Sequence, residues 1–437
     1  MRKISPEFNS LFWTQFYGAL NDNFFKSALV ILIAYKNISL FGIPSSSMVA
    51  LCGGVFIFPF FFLSATSGQL ADKYDKVWLS YRIKEAELGF AVLGAIGLLT
   101  ENYYLMLLVL FLFGLQSTFF GPIKYSIIPH YAPKDQLIFA NAMVSSGTFV
   151  AILLGTILGG NISIFNGNFW PFVAILLVIG YLGLHYAKKL PLENAASTAE
   201  KEVLKIDWNF FTATGDIVKL VFKNQSTALL IVGLSWFWFM GAGLLSLMPL
   251  LAKNIFNGSE AVATLALFTF TAGMGVGPFL LEKVTKGRVR RWVIPVSLIC
   301  MTLVIFDLSF VIKEASKHSF LLSMIEPVGI RDFFRLDTSI RVVADLFLLS
   351  LFGGMFTVPQ FAELQRVTPD GELSRVVAGN NVINALAMVT ISLLLMVFHG
   401  QNLSLSLIFA ILGVFNMLMC IVLVFYYKEE FNKLWRF

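Results

Sequence analysis

Twelve long apolar segments follow one another along the chain, and they limit the possible folds more than any other feature. Each is close to the roughly 20 apolar residues that a helix needs to cross a bilayer. Only 13% of the residues are charged, about half the share that is usual in soluble proteins. Because lipid offers the backbone no hydrogen bonds, such segments cross it as helices. The sequence therefore predicts an all-α polytopic membrane protein with twelve transmembrane helices, at residues 11–34, 48–70, 79–100, 103–128, 139–161, 169–187, 226–251, 261–281, 292–312, 341–361, 375–398 and 402–427.

The distribution of basic residues predicts the orientation of the chain. Most of the 32 Lys and Arg residues fall in segments on the same side of the membrane as the N-terminus. The short loops on the opposite side hold only Lys36 and Lys253. Since cytoplasmic loops are the ones rich in Lys and Arg, we expect a multi-pass protein with both termini in the cytoplasm.

The longest polar stretch on the cytoplasmic side separates six predicted spans from six others. It predicts three parts: an N-terminal six-helix half at 1–187, a cytoplasmic linker at 188–225 and a C-terminal six-helix half at 226–437. The linker mixes charged residues with Trp208, Phe210 and Phe211, which is typical of a helix lying at the membrane interface.

The two halves repeat a weak motif. The triplet Leu-Phe-Gly that ends at Gly114 is followed by Pro122, and the same triplet ending at Gly353 is followed by Pro359. Internal repetition between halves is typical of transporters whose substrate site lies at the interface of the repeats. We therefore expect such a site between the two halves.

The first span carries polar residues near its centre: Asn21, Asp22, Asn23 and Lys26. A charged side chain within a bilayer costs at least about 2.5–3.5 kcal/mol on insertion scales, which makes it a candidate for function. Asp22 and Lys26 are four residues apart with the acid first, the favourable order for a helical ion pair. We expect Asp22 to hold a cationic headgroup amine or a coupling proton; a structural ion pair with Lys26 is the alternative.

Four further residues are candidates for substrate binding. Lys124 lies beside Tyr125 near the cytoplasmic end of the fourth span, where it either contacts a lipid phosphate or extends to the interface by snorkelling. Asn380 and Asn384 are spaced i,i+4 in the eleventh span. They either contribute to the site or hydrogen-bond between helices, as amides in helical bundles usually do.

Charged residues near the cytoplasmic ends of spans are candidates for a gate. Lys84 and Glu87 in the third span are three residues apart and share a helix face, as do Arg82 and Glu85. These pairs either close the cytoplasmic mouth in one state or are simply solvated. Glu363 lies at the end of the tenth span and belongs to the same group of candidates.

Other classes of site are not indicated. The three cysteines, Cys52, Cys300 and Cys420, fall within predicted spans and lack the spacing of metal ligands, so we expect neither a disulfide framework nor a metal site. The net charge of +6 reflects the cytoplasmic loops and does not indicate nucleic acid as a partner. We expect no cofactor and no catalytic residues.

The loop after the second span begins Gly68-Gln69-Leu70-Ala71-Asp72-Lys73. It resembles the loop signature of the major facilitator superfamily, in which a glycine precedes Leu-Ala-Asp and a basic residue. The resemblance implies the major facilitator fold, with two six-helix halves. Glycine permits close helix approach, while Asp72 can cap the next helix and pair with a basic partner in one of two states. Asp72 and Lys73 are therefore candidate gating residues.

Several motifs together resemble the bacterial lysophospholipid transporter family. They are Asn21-Asp22-Asn23, the stretch 120–125 from Phe120 to Tyr125, Asn141 with the stretch 151–155, Val358-Pro359 and the stretch 378–381. The resemblance covers essentially the whole chain. It implies movement of lysophospholipid, notably lysophosphatidylethanolamine, from the outer to the inner leaflet of the bacterial cytoplasmic membrane, where acyltransferases rebuild it.

Some relatives in that family carry the acyltransferase fused behind the transporter. This chain stops ten residues after its twelfth predicted span, so we expect no enzyme within it and a separate acyltransferase as a partner. We further expect contact with membrane lipids and action as a monomer.

The seventh span departs from the family, whose compact members carry an arginine there. The matching stretch runs from Gly241 to Leu247, with Trp236 just before it. We expect Trp236 to belong to an aromatic flank from spans 7 and 11 that accommodates an acyl chain, while spans 1 and 4 form a charged headgroup pocket. The alternative function is a proton-coupled exporter of amphiphilic compounds or siderophores, with Asp22 as its proton site.

Overall fold

The computed structural model describes residues 6–162, 168–191, 205–288, 290–322, 326–369 and 371–427, most of which are helical. We number fourteen helices in chain order. They are α1 (Pro6–Tyr35), α2 (Ser45–Lys73), α3 (Lys76–Leu99), α4 (Tyr103–Tyr131), α5 (Leu137–Gly160), α6 (Trp170–Ala187), α7 (Phe210–Lys223), α8 (Gln225–Leu250), α9 (Glu260–Thr285), α10 (Val293–Leu322), α11 (Ile330–Phe333), α12 (Ser339–Val367), α13 (Leu373–Gly400) and α14 (Leu405–Tyr426).

The long helices correspond to the predicted spans, and the predicted all-α polytopic membrane fold is confirmed. Within the described residues, ten helices are long and apolar enough to cross a membrane. Two further long helices, α1 and α3, match predicted spans but carry the polar residues discussed below, which lower their mean hydropathy. The largest boundary difference is in α10, which continues to Leu322 instead of ending at residue 312.

The chain divides into two compact units. The first comprises Met1–Ala140, Val150–Leu229 and Leu364–Ala385, and the second comprises Asn141–Phe149, Leu230–Glu363 and Leu386–Phe437. The first contains α1 to α4, α6 and α7, and the second contains α9 to α11, α14 and most of α8 and α12, while α5 and α13 contribute to both.

The core of the first unit surrounds the polar part of α1 with aromatic side chains. Phe24 stacks on Phe172 of α6 with ring centres 4.0 Å apart, and Phe25 lies 5.4 Å from Phe113 of α4. All four side chains are fully buried. Burial of one such ring contributes roughly 1.5–3 kcal/mol, so this packing fixes the direction in which the neighbouring polar side chains of α1 point.

Helix α5 lies directly against α1 at two glycines. The Gly-x-x-x-Gly spacing of Gly155 and Gly159 predicts close helix packing. A Cβ atom on Gly155 would lie 2.6 Å from the carbonyl oxygen of Leu20, and one on Gly159 would lie 2.2 Å from that of Phe24. The two glycines therefore hold the turn of α1 that contains Asp22.

Replacing Gly159 with alanine should destabilise the protein by about 1–3 kcal/mol or more, because the added methyl group overpacks the contact with α1. Gly160→Ala is the matched control, since a Cβ atom there meets nothing within 4 Å. SDS-induced unfolding of the two purified variants measures the difference. Equal unfolding midpoints for both variants would show that α5 does not support α1.

The predicted linker contains an amphipathic helix, α7. Asn209 caps it by accepting a 3.0 Å hydrogen bond from the backbone N–H of Phe211. Its buried residues Ala213, Ile217 and Val221 are spaced by four and form one face. This face packs in the first unit against α2 and α13, where Ala213 and Ile217 share an apolar cluster with side chains of those helices.

The chain just before α7 is tied to α2. The backbone N–H of Asp207 donates a 2.7 Å hydrogen bond to Gln69 Oε1. Hydrogen bonds from the Thr212 hydroxyl and from the backbone N–H of Asn209 lower the pKa of the Asp207 carboxyl group. Residues 192–204 of the predicted linker lie outside the described residues. The described part of the linker is thus docked on the first unit.

The repeated Leu-Phe-Gly motif corresponds to a repeated helix contact, with one change. In the first unit a Cβ atom on Gly114 of α4 would lie 2.2 Å from the carbonyl oxygen of Phe56 in α2. In the second unit the same close approach joins α9 and α12, where Gly277 would meet the carbonyl oxygen of Leu351 at 2.2 Å. Gly353 of the repeated triplet instead faces side chains. The contact recurs, but its glycine lies on a different helix. In the first unit the glycine is on α4, which carries the triplet, whereas in the second unit it is on α9 and the triplet is on α12.

Candidate functional site

Asp22 is buried in α1 and is held by two donors on α4. Its carboxylate accepts a 2.9 Å hydrogen bond from Gln116 Nε2 and a second hydrogen bond from the Ser117 hydroxyl, and the residue is 4% exposed. The alternative of a structural ion pair with Lys26 is not seen among the described residues, where Gln116 and Ser117 are the hydrogen-bond partners of Asp22. The Lys26 ammonium lies instead 5.2 Å from the centre of the Phe56 ring.

Asn21, the neighbour of Asp22 in the chain, contacts a buried ion pair on α3. Its Nδ2 donates a 3.4 Å hydrogen bond to Glu87 Oε1, and Glu87 pairs with Lys84. A Cβ atom on Gly18 would lie 2.2 Å from Lys84 Nζ, so the absence of a side chain there makes room for the ammonium. We define the buried polar cluster as Asn21, Asp22, Lys84, Glu87, Gln116 and Ser117.

Lys84 and Glu87 are not simply solvated in the structure, because both side chains are only 1% exposed. The other predicted pair on α3, Arg82 with Glu85, forms at 2.7 Å and has side chains 57% and 33% exposed. The exposed pair remains in contact with water, whereas the Lys84–Glu87 pair lies in the interior of the first unit. Its attraction must therefore offset the cost of removing both charges from water. A gating role for Lys84 and Glu87 stays a prediction.

Lys124 adds a positive charge beside the buried polar cluster. It interacts electrostatically with Asp22 and Lys84, and its ammonium lies 4.7 Å from the centre of the Tyr125 ring. The lysine and tyrosine side chains are both partly buried. Carboxylates and ammonium groups therefore lie near one another within a single unit, which suits a ligand that carries both signs of charge.

Sequence reasoning missed Gln116 and Ser117. Their signal was present, since Gln116, Ser117 and Thr118 interrupt an otherwise apolar run between Phe113 and Phe119. Polar side chains inside a span usually hydrogen-bond to another helix. The sequence did not identify the partner, because Gln116 and Asp22 are separated by 94 residues.

The asparagines are used in different ways. Asn23 donates a 2.8 Å hydrogen bond back to the carbonyl oxygen of Ala19 in its own helix, which engages its amide away from the cluster. Asn380 and Asn384 on α13 are both buried in the first unit. The Oδ1 atom of Asn380 has no hydrogen-bond partner among the described residues, so it can still accept one from a ligand.

Trp236 lies in the second unit, in a network between helices. Its indole Nε1 donates a 2.9 Å hydrogen bond to Asn416 Oδ1 on α14. Asn416 Nδ2 in turn donates to Thr302 Oγ1 on α10 at 2.9 Å. The network holds the indole at the junction of three helices, and its contact with substrate stays a prediction.

Asp72 caps a different helix from the one expected. It accepts hydrogen bonds from the backbone N–H groups of Ser374 at 3.1 Å and Arg375 at 3.2 Å, at the start of α13. The Arg375 guanidinium also donates to it at 2.9 Å. The helix that follows Asp72 in sequence, α3, is capped by Asp75. The basic partner of Asp72 is therefore Arg375, which lies 303 positions away.

The glycine of the same loop signature permits this junction. A Cβ atom on Gly68 would lie 2.5 Å from Ala378 Cβ and 3.0 Å from Arg375 Cα. Helices α2 and α13 can therefore meet closely enough for Asp72 to reach the first turn of α13. Lys73 lies next to this contact, with its ammonium 6.0 Å from the Tyr74 ring.

Glu363 takes part in a second candidate gate contact. It is buried at the end of α12 and pairs with Arg291, whose side chain is 39% exposed. Both residues belong to the second unit. The structure therefore joins Asp72 and Glu363 to arginines, each within its own unit.

Replacing Asp72 with alanine should free the first turn of α13, because an N-cap contributes about 0.5–2 kcal/mol. We expect faster hydrogen exchange at the backbone amides of Ser374 and Arg375, measured by mass spectrometry on the purified protein. Lys73→Ala is the control in the same loop and should leave that exchange unchanged. Unchanged exchange in Asp72→Ala would remove the capping role.

The family model described as Major Facilitator Superfamily matches residues 11–334. Among curated proteins, the lysophospholipid transporter LplT of Pectobacterium carotovorum subsp. carotovorum is 26% identical over 365 residues, covering 83% of this chain and 79% of that protein. LplT of Cronobacter sakazakii is 27% identical over 357 residues, covering 80% of this chain and 78% of that protein.

Solved structures show the same fold at low sequence identity. The human organic anion transporter MFSD10 has a TM-score of 0.72 at 13% identity, covering 96% of this chain and 100% of that chain. FucP in its outward conformation has a TM-score of 0.70 at 12% identity, covering 97% of this chain and 99% of that chain. Since the family model spans most of the sequence and the fold agrees, this chain belongs to the Major Facilitator Superfamily.

Proposed function

We propose that the protein is a secondary transporter that moves lysophospholipid from the outer to the inner leaflet of the bacterial cytoplasmic membrane. The observation that carries this proposal is the buried polar cluster, in which Asp22 of α1 is held by Gln116 and Ser117 of α4. The similarity to curated proteins named lysophospholipid transporters supports the cargo class. Lysophosphatidylethanolamine is the proposed main cargo.

The chemistry of this headgroup complements the charges near Asp22. The ammonium group of lysophosphatidylethanolamine would bind Asp22, and its phosphate would bind Lys124. Charge-assisted hydrogen bonds of this kind are roughly twice as strong as neutral ones. The free acceptor of Asn380 and the half-buried ring of Tyr125 are further proposed contacts in the same unit.

The transport cycle would follow alternating access, in which the site opens to one side of the membrane at a time. The Asp72–Arg375 and Glu363–Arg291 ion pairs are the proposed gate contacts, formed in one state and broken in the other. Lipid released in the inner leaflet would be re-acylated by a separate acyltransferase. The transporter would act as a monomer with both termini in the cytoplasm.

Proteoliposomes test the proposal. Fluorescent lysophosphatidylethanolamine is added to vesicles with and without the purified protein, and a membrane-impermeant quencher reports the fraction that remains in the outer leaflet. We expect protein-dependent protection of the lysolipid and no protection of two-chain phosphatidylethanolamine. Equal protection of both lipids, or none above protein-free vesicles, would contradict the proposal.

A further inference from the structure

Three charged residues that the proposed function does not use lie together in the second unit. Arg341 of α12 donates from Nε to Asp307 Oδ2 of α10 at 2.9 Å and from Nη2 to Asp307 Oδ1. Asp345 lies one turn after Arg341 in α12, and its carboxyl group is within hydrogen-bonding reach of Asp307. We call Asp307, Arg341 and Asp345 the carboxylate–arginine triad.

Asp345 is the buried member of the triad. The residue is 6% exposed, and its Oδ2 receives no hydrogen bond from any residue that the structure describes. Two ionised carboxylates accept hydrogen bonds but cannot donate them. Asp307 and Asp345 therefore repel each other when both are ionised, whereas a single proton between them turns the repulsion into a hydrogen bond.

The charges of the triad do not balance without that proton. Asp307 and Asp345 contribute two negative charges and Arg341 contributes one positive charge. Glu314 of α10 also acts electrostatically on Arg341, but it pairs with Lys317 at 2.8 Å. One negative charge is left uncompensated between two membrane-spanning helices, where an ionised side chain is costly.

We propose that the carboxylate–arginine triad is a proton-binding site, in which Asp345 carries the proton and donates it to Asp307. Arg341 keeps Asp307 ionised by binding both of its oxygens. The same guanidinium disfavours a metal cation, because it already occupies the oxygens of Asp307 and adds a positive charge. The Arg341 and Asp307 side chains are 51% and 38% exposed, so the proton can exchange past them while Asp345 stays buried.

Infrared spectroscopy of the purified protein tests the site without any transport substrate. A protonated carboxyl group has a C=O stretching band separate from those of carboxylates, and the band shifts in heavy water. We expect a band of this kind in the wild type that is missing from Asp345→Asn, so that the difference spectrum between the two proteins contains it. Asp332→Asn is the matched control, because Asp332 is an exposed carboxylate paired with Arg335, and it should leave the band unchanged.

A difference spectrum between the wild type and folded Asp345→Asn that lacks such a band would overturn the proposal. If Asp345→Asn does not fold, Asp307→Asn provides the test. There a single carboxylate faces Arg341 and the charges balance without a proton, so Asp345 ionises and the band should be lost. A band at the wild-type frequency in Asp307→Asn would equally overturn the proposal.

A role for this proton in transport rests on the proposed function. If the protein moves lysophospholipid, uptake into proteoliposomes should respond to an imposed pH gradient in the wild type and lose that response in Asp345→Asn. Absence of uptake in the wild type would contradict the proposed function and leave the infrared result standing. Uptake in the wild type with an unchanged response in Asp345→Asn would overturn the coupling role.

Discussion

Asp22→Asn should reduce lysophospholipid transport at least tenfold while the protein stays folded. A hydrogen bond to a charged group contributes roughly 1.5–3 kcal/mol, and 1.4 kcal/mol is about tenfold in an equilibrium constant. Asparagine keeps the shape of the side chain, and its Oδ1 can still accept from Gln116 Nε2, which donates to Asp22 at 2.9 Å. The Ser117 hydroxyl can accept from the new amide instead of donating. The change therefore removes the charge and preserves the contacts with α4.

The measurement is lysophosphatidylethanolamine uptake by proteoliposomes, with size-exclusion chromatography and thermal unfolding as tests of folding. Asp216→Asn is the matched control, because Asp216 is an exposed carboxylate on α7 that pairs with Lys219 at 3.2 Å. It should transport like the wild type. Uptake at the wild-type rate by Asp22→Asn would show that the charge of Asp22 is not part of the transport mechanism.

Lys84→Met should destabilise the protein by about 3–5 kcal/mol, because it leaves the carboxylate of Glu87 buried and unpaired. Both side chains are 1% exposed, so water cannot replace the lost partner. The nearest remaining polar contact of Glu87 is Asn21 Nδ2 at 3.4 Å, which is a weak substitute for an ammonium. SDS-induced unfolding of the purified protein in detergent measures the loss.

A double variant distinguishes the effect of leaving Glu87 unpaired from the effect of replacing the side chain at position 84. Lys84→Met combined with Glu87→Leu removes both charges and should recover much of the stability, since replacing a buried ion pair with apolar side chains is often neutral. Arg82→Ala breaks the exposed pair with Glu85 and should cost about 1 kcal/mol or less. If Lys84→Met costs no more than Arg82→Ala, the burial of the α3 pair does not matter for stability.

The helices could be predicted from the sequence because each span is a local apolar run. The end of α10 was the exception: the predicted span stopped at residue 312, but the helix continues to Leu322 and Glu314 and Lys317 pair at i,i+3 within the added part. Hydropathy marks where a chain leaves the apolar layer, whereas helix ends depend on capping and side-chain pairs.

The polar residues of the site could be found in sequence, but their partners could not. Asp22 was identified because a charged side chain within a span costs free energy, and the i,i+4 spacing suggested Lys26 as its partner. The structure brings Gln116 and Ser117 to it instead. The face that α4 turns towards α1 is decided by packing between segments that lie far apart in the chain. Asp72 shows the same limit, because its arginine partner lies on α13.

The triad on α10 and α12 had a sequence signal that was not used. Arg341 and Asp345 are four residues apart at the start of a span, and Asp307 lies within another. Recognising the triad requires the contact between two helices, which no local pattern contains.

Headgroup selectivity tests most directly the claim that Asp22 recognises an amine. Binding of lysophosphatidylethanolamine and of lysophosphatidylglycerol, which lacks the amine, is measured for purified wild type and Asp22→Asn by competition with a fluorescent lysolipid. We predict that the wild type prefers the amine-containing lipid and that Asp22→Asn loses this preference. The same preference in both proteins would contradict the assignment of Asp22 to the headgroup amine.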